Sequence, residues 1–257
     1  KECRRSPRPR ERDAAVIGTT LLILLAMLVL AVPVAASLGA LAIVLDAFYS
    51  KLPLTLAMGE MAWHTSNNFL LVAIPLFVML GEILLRSGMA ERMYNALVKW
   101  MPWLPGGLMH SNIAACAMFA ATSGSSVATA ATIGTVALGE VKKHNYSERL
   151  FLGTLAAGGT LGILIPPSIN MIVYGVLTDT SIPKLYLAGI VPGIVLAGLF
   201  MLTVLIACLI NPRLAGNRVT STWDERIKSL PDLLPPLIIF LAVIGSIYGG
   251  LATATES

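Results

Sequence analysis

The chain has 257 residues, of which 56% are hydrophobic and only 12% are charged, whereas soluble domains carry about 25% charged residues. Several apolar stretches reach the ~20 residues that cross a bilayer as a helix, so the composition excludes a soluble globular domain and indicates an integral membrane protein. The net charge of +4 lies in loops and at the N-terminus, where basic residues set membrane topology, and it does not point to nucleic-acid binding.

The first apolar region follows a basic N-terminal segment. Residues 1–13 are polar, and we expect them to be disordered or to lie at the membrane interface. Residues 14–50 are apolar almost throughout and are broken near Pro33, which is too long a stretch for one crossing and predicts two. Residues 51–68 predict a loop or an interfacial helix, and residues 69–85 predict a third crossing.

Residues 86–106 combine charged residues with methionine and tryptophan. This mixture predicts an amphipathic helix that lies at the membrane interface, with Trp100 and Trp103 as anchors. Further along the chain, residues 184–210 and 232–249 predict two more crossings, which a polar and basic segment separates.

Lysine and arginine cluster in three loops, around residues 86–99, 142–149 and 213–228. All three loops fall on one side of the membrane, taken as cytoplasmic, if residues 107–141 form a hairpin and the stretches 150–178 and 184–210 each cross once. The same number of crossings places the N-terminus on the outer side of the membrane, although residues 1–13 carry six basic residues. An additional upstream segment would remove that conflict.

The stretch TSGSSVATAATIG (122–134) concentrates hydroxyl groups and glycine in apolar surroundings. If the flanking segments 109–121 and 127–139 are helices, each is roughly 20 Å long and too short for the ~30 Å hydrocarbon core. These lengths predict a hairpin that enters and leaves by one face, with SGSS at a tip near the midplane that protein or a water-filled cavity must cover. The alternative is simple packing of small residues between helices.

The predicted tip offers ligands of two kinds. Carbonyl groups at the end of the first helix, together with serine and threonine hydroxyls, suit a hard cation such as Na⁺, whereas N–H groups at the start of the second helix suit a carboxylate. Gly124 allows the backbone to turn without a Cβ clash, and Ser125 or Ser126 can cap the second helix.

A second interruption, IPPSIN, lies within the apolar stretch 150–178. Its double proline, Pro166–Pro167, supplies no N–H, so the carbonyl groups of Gly162 and Ile163 lose their helical partners and are expected to be free to bind an ion. Two residues that follow at once offer side-chain oxygens, Ser168 and Asn170. A broken helix beside a re-entrant hairpin is typical of secondary transporter sites; the alternative is a simple kink or a surface loop.

Residues that would carry other chemistry are sparse. The cysteines Cys3, Cys116 and Cys208 form no CxxC pair and have no histidine at ligand spacing, so they predict neither a disulfide framework nor a metal site. The GxSxG motif of serine hydrolases is absent, and no histidine follows the serine-rich stretch inside a later apolar segment. We therefore do not expect an enzyme.

The chain resembles the large transmembrane subunit of tripartite ATP-independent periplasmic (TRAP) transporters, the DctM-like family, in motifs that occur in that family's order and spacing. These motifs are IPLFVMLGEILLRSGMAER (74–92), PGGLMHSNIAACAMFAATSGSS (105–126), SGSSVATAATIG, IPPSINMIVYGVLTDTSIPKLYLAGIVPG and the terminal GGLATATES. The resemblance extends from about residue 16 onward.

The resemblance implies an all-α, polytopic membrane fold with a re-entrant helical hairpin and a Pro-broken helix. These would form one inverted repeat of an elevator-type ion transporter, in which a transport domain moves against a fixed scaffold. By position, residues 1–13 are a basic N-terminal segment, and residues 14–106 hold the scaffold helices and an interfacial arm helix. Residues 107–183 hold the transport-domain hairpin (107–141) and broken helix (150–178). Residues 184–257 hold the following transmembrane helices and the start of a second repeat.

The resemblance further implies Na⁺-coupled uptake of organic acids by a multi-pass subunit of the bacterial inner membrane, with Na⁺ as coupling ion and no other cofactor. Its partners would be a small TRAP membrane subunit and a periplasmic solute-binding protein that delivers the carboxylate. Carried over by position, the ion and substrate site comprises Asn112, Ser123, Gly124, Ser125, Ser126, Thr129, Gly162, Ile163, Pro166, Pro167, Ser168 and Asn170. The Na⁺ candidates among them are Ser123, Ser125, Ser126 and Gly162.

Two departures from the family pattern stand out. Many members have Asp where this chain has Thr129, so an ion site here would rely on neutral oxygens. The second repeat, with its own hairpin and broken helix, is absent from this sequence, so we expect a truncated chain that shows half of each site and does not transport alone. The alternatives are a binding-protein-independent Na⁺- or H⁺-coupled carboxylate carrier of the same superfamily, or a channel.

Overall fold

The computed structural model of the chain describes residues 9–49, 54–217 and 219–252, and within these ranges all regular secondary structure is helical. The predicted all-α fold is therefore confirmed. Most of the basic N-terminal segment and the last residues of the terminal GGLATATES motif lie outside the described residues. The chain separates into two compact units, one up to Asn67 and one from Asn68 onward.

The first unit contains the two predicted apolar helices and a third, shorter one. Helices α1, α2 and α3 span Pro9–Val29, Val34–Tyr49 and Leu54–Ser66. The chain breaks before Pro33, as predicted, and Ala31 there adopts a left-handed φ of 54°. At 16 residues, α2 is roughly 24 Å long and falls short of the ~30 Å core. The two crossings predicted for 14–50 thus correspond to two separate helices, whose apolar stretches within the described residues are Val16–Val29 and Val34–Tyr49.

The second unit contains a 3-10 turn over Phe69–Val72 and helices α4 to α12, with two more 3-10 turns at Pro212–Ala215 and Leu230–Leu233. The helices span Ala73–Arg86 (α4), Met89–Trp100 (α5), Gly107–Ser123 (α6), Ser126–Lys143 (α7), Glu148–Leu164 (α8), Ile169–Leu177 (α9), Ile182–Ile210 (α10), Trp223–Ser229 (α11) and Leu234–Tyr248 (α12).

Three continuous helical segments in the described part of the chain are long and apolar enough to cross a membrane. They are Phe69–Arg86, Ile182–Ile210 and Trp223–Tyr248, with 18, 29 and 26 residues. Helices α8 and α9 form a fourth candidate, bent by 42° at the double proline. These four elements match the crossings predicted from 69–85, 184–210, 232–249 and 150–178, so the polytopic membrane fold is confirmed.

Helix α5 is amphipathic, as residues 86–106 predicted, but it is shorter than that segment. It begins after Gly88, whose left-handed φ of 70° suits glycine, and it ends at Trp100. Ala90, Met93, Tyr94 and Leu97 are buried on one face, at the spacing of a single helical stripe. Trp103 follows the helix and is 68% exposed, where it suits an interfacial anchor.

Helix α11 lies in the segment that the sequence marked only as polar and basic. Its start is fixed by a capping box, in which the Thr222 hydroxyl accepts from the Glu225 N–H and the Glu225 carboxylate accepts from the Thr222 N–H. Just before it, Ser221 donates its hydroxyl proton to the Lys99 carbonyl oxygen at 2.7 Å. This bond fastens α11 to the end of α5.

The core of the second unit surrounds α6, which buries residues on every side. Helix α8 packs directly against it, because a Cβ atom built at Gly158 would lie 2.9 Å from the Cys116 side chain. Phe151, Ile113 and Leu161 fill the same apolar cluster with no exposed surface. Small residues that let backbones approach are the usual means of helix association in membranes, and here they hold the hairpin against the broken helix.

Candidate functional site

The serine-rich stretch forms the tight connection between α6 and α7. Gly124 follows α6 with a left-handed φ of 63° and donates its N–H to the Ala120 carbonyl oxygen. Ser125 is extended and caps α7, since its hydroxyl oxygen accepts from the Ala128 N–H at 3.3 Å. Helices α6 and α7 have 17 and 18 residues, which makes them roughly 26 and 27 Å long. They are longer than the roughly 20 Å predicted from the sequence but still shorter than the ~30 Å hydrocarbon core.

A buried chain of hydroxyls stabilises the tip. The Thr129 hydroxyl donates to the Ser125 carbonyl oxygen at 2.7 Å, which leaves the Ser123 hydroxyl to donate to Thr129 Oγ1 at 3.2 Å. Ser123 and Thr129 are 1% and 0% exposed. The tip therefore presents neutral oxygens whose positions are fixed by one another. Ser126 begins α7, so its N–H lies at the positive end of the helix dipole.

The double proline ends α8 at Leu164 and restarts the helix at Ile169. Since Pro166 has no N–H, the Gly162 carbonyl loses the donor that an unbroken helix would give it. The Ile163 carbonyl, predicted to be free, instead accepts from the Ser168 hydroxyl at 2.8 Å. Ser168 thus replaces the N–H that Pro167 lacks, and its side chain does not cap α9.

The hairpin tip and the break in α8–α9 are in direct contact. The Ile169 N–H donates to the Gly124 carbonyl oxygen at 3.1 Å. A Cβ atom built at Gly124 would lie 2.8 Å from the Pro167 carbonyl oxygen, and one built at Gly162 would lie 2.7 Å from the Ser126 nitrogen. Glycine is required at both positions because backbone meets backbone, and the two irregular segments form one site.

The predicted residues that meet here are Ser123, Gly124, Ser125, Ser126, Thr129, Gly162, Pro166, Pro167 and Ser168. Ile163 adjoins them but points outward, with 46% of its surface exposed. Asn170 lies on the first turn of α9 and is also exposed.

Asn112 lies apart from this group. It precedes Ser123 by eleven positions on α6, or roughly 17 Å. Its Oδ1 accepts from the Tyr94 hydroxyl at 2.8 Å, and its Nδ2 donates to Thr154 Oγ1 at 3.0 Å. Burial raises the pKa of Tyr94, so the hydroxyl keeps its proton as donor. Asn112 joins α5, α6 and α8 at the base of the hairpin rather than at its tip.

Neighbouring helices contribute residues that the sequence reading did not single out. Gly81 allows α4 and Ser123 to approach closely, because a Cβ atom built at Gly81 would lie 3.3 Å from Ser123 Cβ. On α10, a Cβ at Gly189 would lie 2.7 Å from the Leu164 carbonyl oxygen, and one at Gly193 would lie 2.9 Å from Ile165 Cγ1. The four-residue spacing of these two glycines is the signal that could have identified a close-packing face on α10.

The site is uncharged. Neither 107–139 nor 150–178 contains Asp, Glu, Lys or Arg. Its chemistry is limited to hydroxyl and carbonyl oxygens, which suit a hard monovalent cation, and to the N-terminal turns of α7 and α9, which suit an anion.

Comparison with known proteins identifies the family of the chain. The sequence matches the family described as tripartite ATP-independent periplasmic transporter, DctM component, over residues 21–257. It is 33% identical over 243 residues to the C4-dicarboxylate TRAP transporter large permease protein DctM of Vibrio cholerae, covering 94% of this chain and 53% of that protein.

Relatives with other substrates in their names are similarly close. The ectoine/5-hydroxyectoine TRAP transporter large permease protein UehC of Ruegeria pomeroyi is 35% identical over 73% of this chain and 43% of its own length. The sialic acid TRAP transporter large permease protein SiaM of Vibrio cholerae is 32% identical over 74% of this chain and 44% of its own length. The chain spans about half the length of the curated relatives it matches. It belongs to the DctM family of TRAP transporter large permease components.

Proposed function

We propose that the chain forms half of the transport machinery of a Na⁺-coupled permease that takes up an organic acid across the bacterial inner membrane. A small TRAP membrane subunit and a periplasmic solute-binding protein that delivers the acid are its proposed partners. The observation that carries the proposal is the contact between the hairpin tip and the broken helix, centred on the bond from the Ile169 N–H to the Gly124 carbonyl oxygen. Two discontinuous helical elements that meet within a membrane fold are the usual setting of a secondary transporter site.

The proposed Na⁺ ligands are neutral oxygens near the tip. They come from Ser123, Ser125, Ser126 and Gly162. The Gly162 carbonyl suits this role because Pro166 offers it no N–H, and the buried Ser123 hydroxyl is held in place by Thr129. Na⁺ prefers such oxygens, and replacing its hydration shell requires that they be positioned beforehand.

The proposed anion site is the N-terminal turns of α7 and α9. Both begin within the contact region, at Ser126 and Ile169, and the positive ends of helix dipoles attract a carboxylate. Because the site carries no charged side chain, Na⁺ bound nearby would supply the positive charge that compensates the carboxylate of the acid. That arrangement would couple the affinity for the acid to the presence of the ion.

The direct test is the Na⁺ dependence of uptake by a full-length permease that carries this sequence, reconstituted with its partner subunits. Ser126→Val removes a proposed ligand and should raise the Na⁺ concentration for half-maximal uptake at least several-fold, without preventing membrane insertion. Thr203→Val is the matched control, since this exposed hydroxyl donates to the Leu199 carbonyl oxygen of its own helix, α10. Equal Na⁺ dependence in both variants would refute the ion site.

The role of the binding protein is tested in the same vesicles. Uptake that saturates with substrate and requires the loaded binding protein supports the proposal. Saturable uptake without any binding protein would indicate an independent carrier, and flux that does not saturate would indicate a channel.

A further inference from the structure

An exposed apolar stripe runs along α11 and continues onto α12. On α11, Trp223 and Ile227 are 71% and 64% exposed, and their spacing of four positions puts them on one helix face. The stripe then continues at alternating steps of three and four positions through exposed leucines, which are Leu230, Leu234, Leu237 and Leu241. Since Trp223–Tyr248 is one candidate span, a face of this kind suits the acyl chains of a bilayer.

The length of this span places α11 at the level of the lipid headgroups. Its 26 residues are roughly 39 Å long, about 9 Å more than the ~30 Å hydrocarbon core. All the charged residues of the span lie in its first ten positions, 223–232, and none lies in 233–248. The excess length therefore extends beyond the core at the α11 end, where tryptophan is enriched in membrane proteins.

Arg226 is held in a fixed position beside Trp223. Its Nε donates to Ser221 Oγ at 3.1 Å, and its guanidinium carbon lies 5.0 Å from the centre of the Trp223 ring. The Ser221 hydroxyl in turn donates to the Lys99 carbonyl oxygen, which ties the group to the end of α5. Among the described residues, no hydrogen bond or ion pair engages the terminal nitrogens of Arg226. They remain available in the fork geometry that suits phosphate.

The carboxylates closest to Arg226 in sequence are already engaged. Asp224 Oδ2 accepts from Lys228 Nζ at 2.6 Å, and the Glu225 carboxylate caps the start of its own helix. The segment 211–229 as a whole contains four basic residues and two acidic ones. Its charge is therefore complementary to an anion.

We propose that Arg226 and Trp223 form a binding site for the phosphate headgroup of an anionic phospholipid, whose acyl chains lie along the apolar stripe. The site is separate from the hairpin tip and goes beyond the proposed function. A cation beside a membrane span attracts anionic lipids, and the choline group of a zwitterionic lipid would add a second positive charge next to the guanidinium. A phosphate ester without acyl chains would leave the stripe uncovered, so the combination favours a lipid.

The test is Arg226→Gln in the full-length permease, placed in phosphatidylcholine nanodiscs with an increasing fraction of phosphatidylglycerol. The melting temperature of the parent should rise with phosphatidylglycerol. The variant should need about three- to tenfold more of this lipid for half of that rise, because one basic residue near the membrane surface contributes that much affinity.

Lys228→Gln is the matched control. It removes the same charge from the same helix, but Asp224 already compensates this charge at 2.6 Å, so the response to phosphatidylglycerol should remain that of the parent. An equal loss in both variants would show attraction to the charge of the helix in general. An unchanged response in Arg226→Gln would show that the guanidinium binds no headgroup. Either result would overturn the proposal.

A measurement that keeps Arg226 covers the case in which Arg226→Gln does not fold. Phosphatidylglycerol with acyl chains brominated close to the glycerol should quench the tryptophan fluorescence of the parent more than equally brominated phosphatidylcholine at the same fraction. The excess should disappear in Trp223→Phe and persist in Trp103→Phe, which removes another exposed tryptophan. Equal quenching by the two lipids in the parent would contradict a site for an anionic headgroup.

Two outcomes would identify a different occupant. If glycerol phosphate in solution raises the melting temperature as much as phosphatidylglycerol does, the guanidinium binds a free phosphate ester. If the excess quenching at Trp223 is lost once the small membrane subunit is bound, the stripe is an interface between subunits. Each of these results would overturn the lipid site while leaving the proposed ion site at the hairpin tip untouched.

Discussion

The Ile169 N–H donates to the Gly124 carbonyl oxygen at 3.1 Å, and this bond joins the start of α9 to the tip of the α6–α7 hairpin. It uses one N–H that a helix start leaves without an intrahelical partner, and one carbonyl of a residue that belongs to neither helix. Each irregular segment thus satisfies part of the backbone of the other. The pairing explains how two helix breaks can lie side by side in a chain with so few polar side chains.

Gly124→Ala tests whether this contact needs the left-handed turn. The variant would place a Cβ atom 2.8 Å from the Pro167 carbonyl oxygen at a φ of 63°. The left-handed conformation alone costs a residue with a Cβ roughly 1–2 kcal/mol, and the clash adds to it. We expect a lower melting temperature and loss of uptake. Gly134→Ala on α7, where a Cβ meets nothing within 4 Å, is the matched control and should behave like the parent.

Gly162→Ala tests the contact from the side of the broken helix. A methyl group there would lie 2.7 Å from the Ser126 nitrogen, so the start of α7 must move away from α8. Because alanine favours helix over glycine by about 1 kcal/mol, α8 itself should form normally. We expect a protein that inserts in the membrane yet requires a much higher Na⁺ concentration for uptake.

Gly153→Ala lies on the same helix with open space around its Cβ position and provides the comparison for Gly162. If the two alanine variants show the same Na⁺ titration curve, the close approach of Gly162 to Ser126 has no part in ion binding.

The residues that meet at the site were largely predictable because glycine, proline and serine determine backbone geometry locally. Glycine lacks a Cβ, so Gly124 could be predicted to lie at a turn. The short hydroxyl side chain of Ser125 indicated a helix cap, and the missing N–H groups of the double proline indicated a helix break. These properties belong to single residues and need no knowledge of the fold. The long apolar segments followed equally well from their length.

What could not be predicted depends on which helices become neighbours. Asn112 was grouped with the tip by position, from the family resemblance, but its partners Tyr94 and Thr154 lie 18 and 42 positions away in sequence. Likewise, the Ile163 carbonyl was expected to be free, but it accepts a hydrogen bond from the Ser168 hydroxyl. That bond depends on the side-chain rotamer of Ser168. Pairings of this kind arise from tertiary packing, which a local pattern does not encode.

Asn112→Leu tests whether this residue serves the fold or the ion site. The change keeps the volume similar but leaves the buried Tyr94 hydroxyl without its acceptor, at a cost of about 1–3 kcal/mol. We expect a lower melting temperature with an unchanged Na⁺ requirement, since Asn112 is roughly 17 Å from Ser123 along α6.

The double variant Tyr94→Phe/Asn112→Leu removes both members of that bond. It should recover part of the lost stability, because no hydroxyl is then left unpaired. A raised Na⁺ requirement in Asn112→Leu, with normal melting, would instead place Asn112 in the ion-binding machinery.

Thr129→Asp tests whether a cation binds beside the tip. Thr129 is 0% exposed, and its hydroxyl lies 3.2 Å from Ser123 Oγ, so the variant introduces a buried carboxylate among neutral oxygens. An unpaired buried charge destabilises a protein strongly, whereas a bound cation compensates it. We expect the variant to melt at a lower temperature than the parent in choline chloride and to regain most of the difference in NaCl. Thr129→Asn has a similar shape without the charge and should show no such dependence on Na⁺. If melting of the Asp variant is equally low in both salts, no cation reaches the tip and the proposed Na⁺ ligands are wrong.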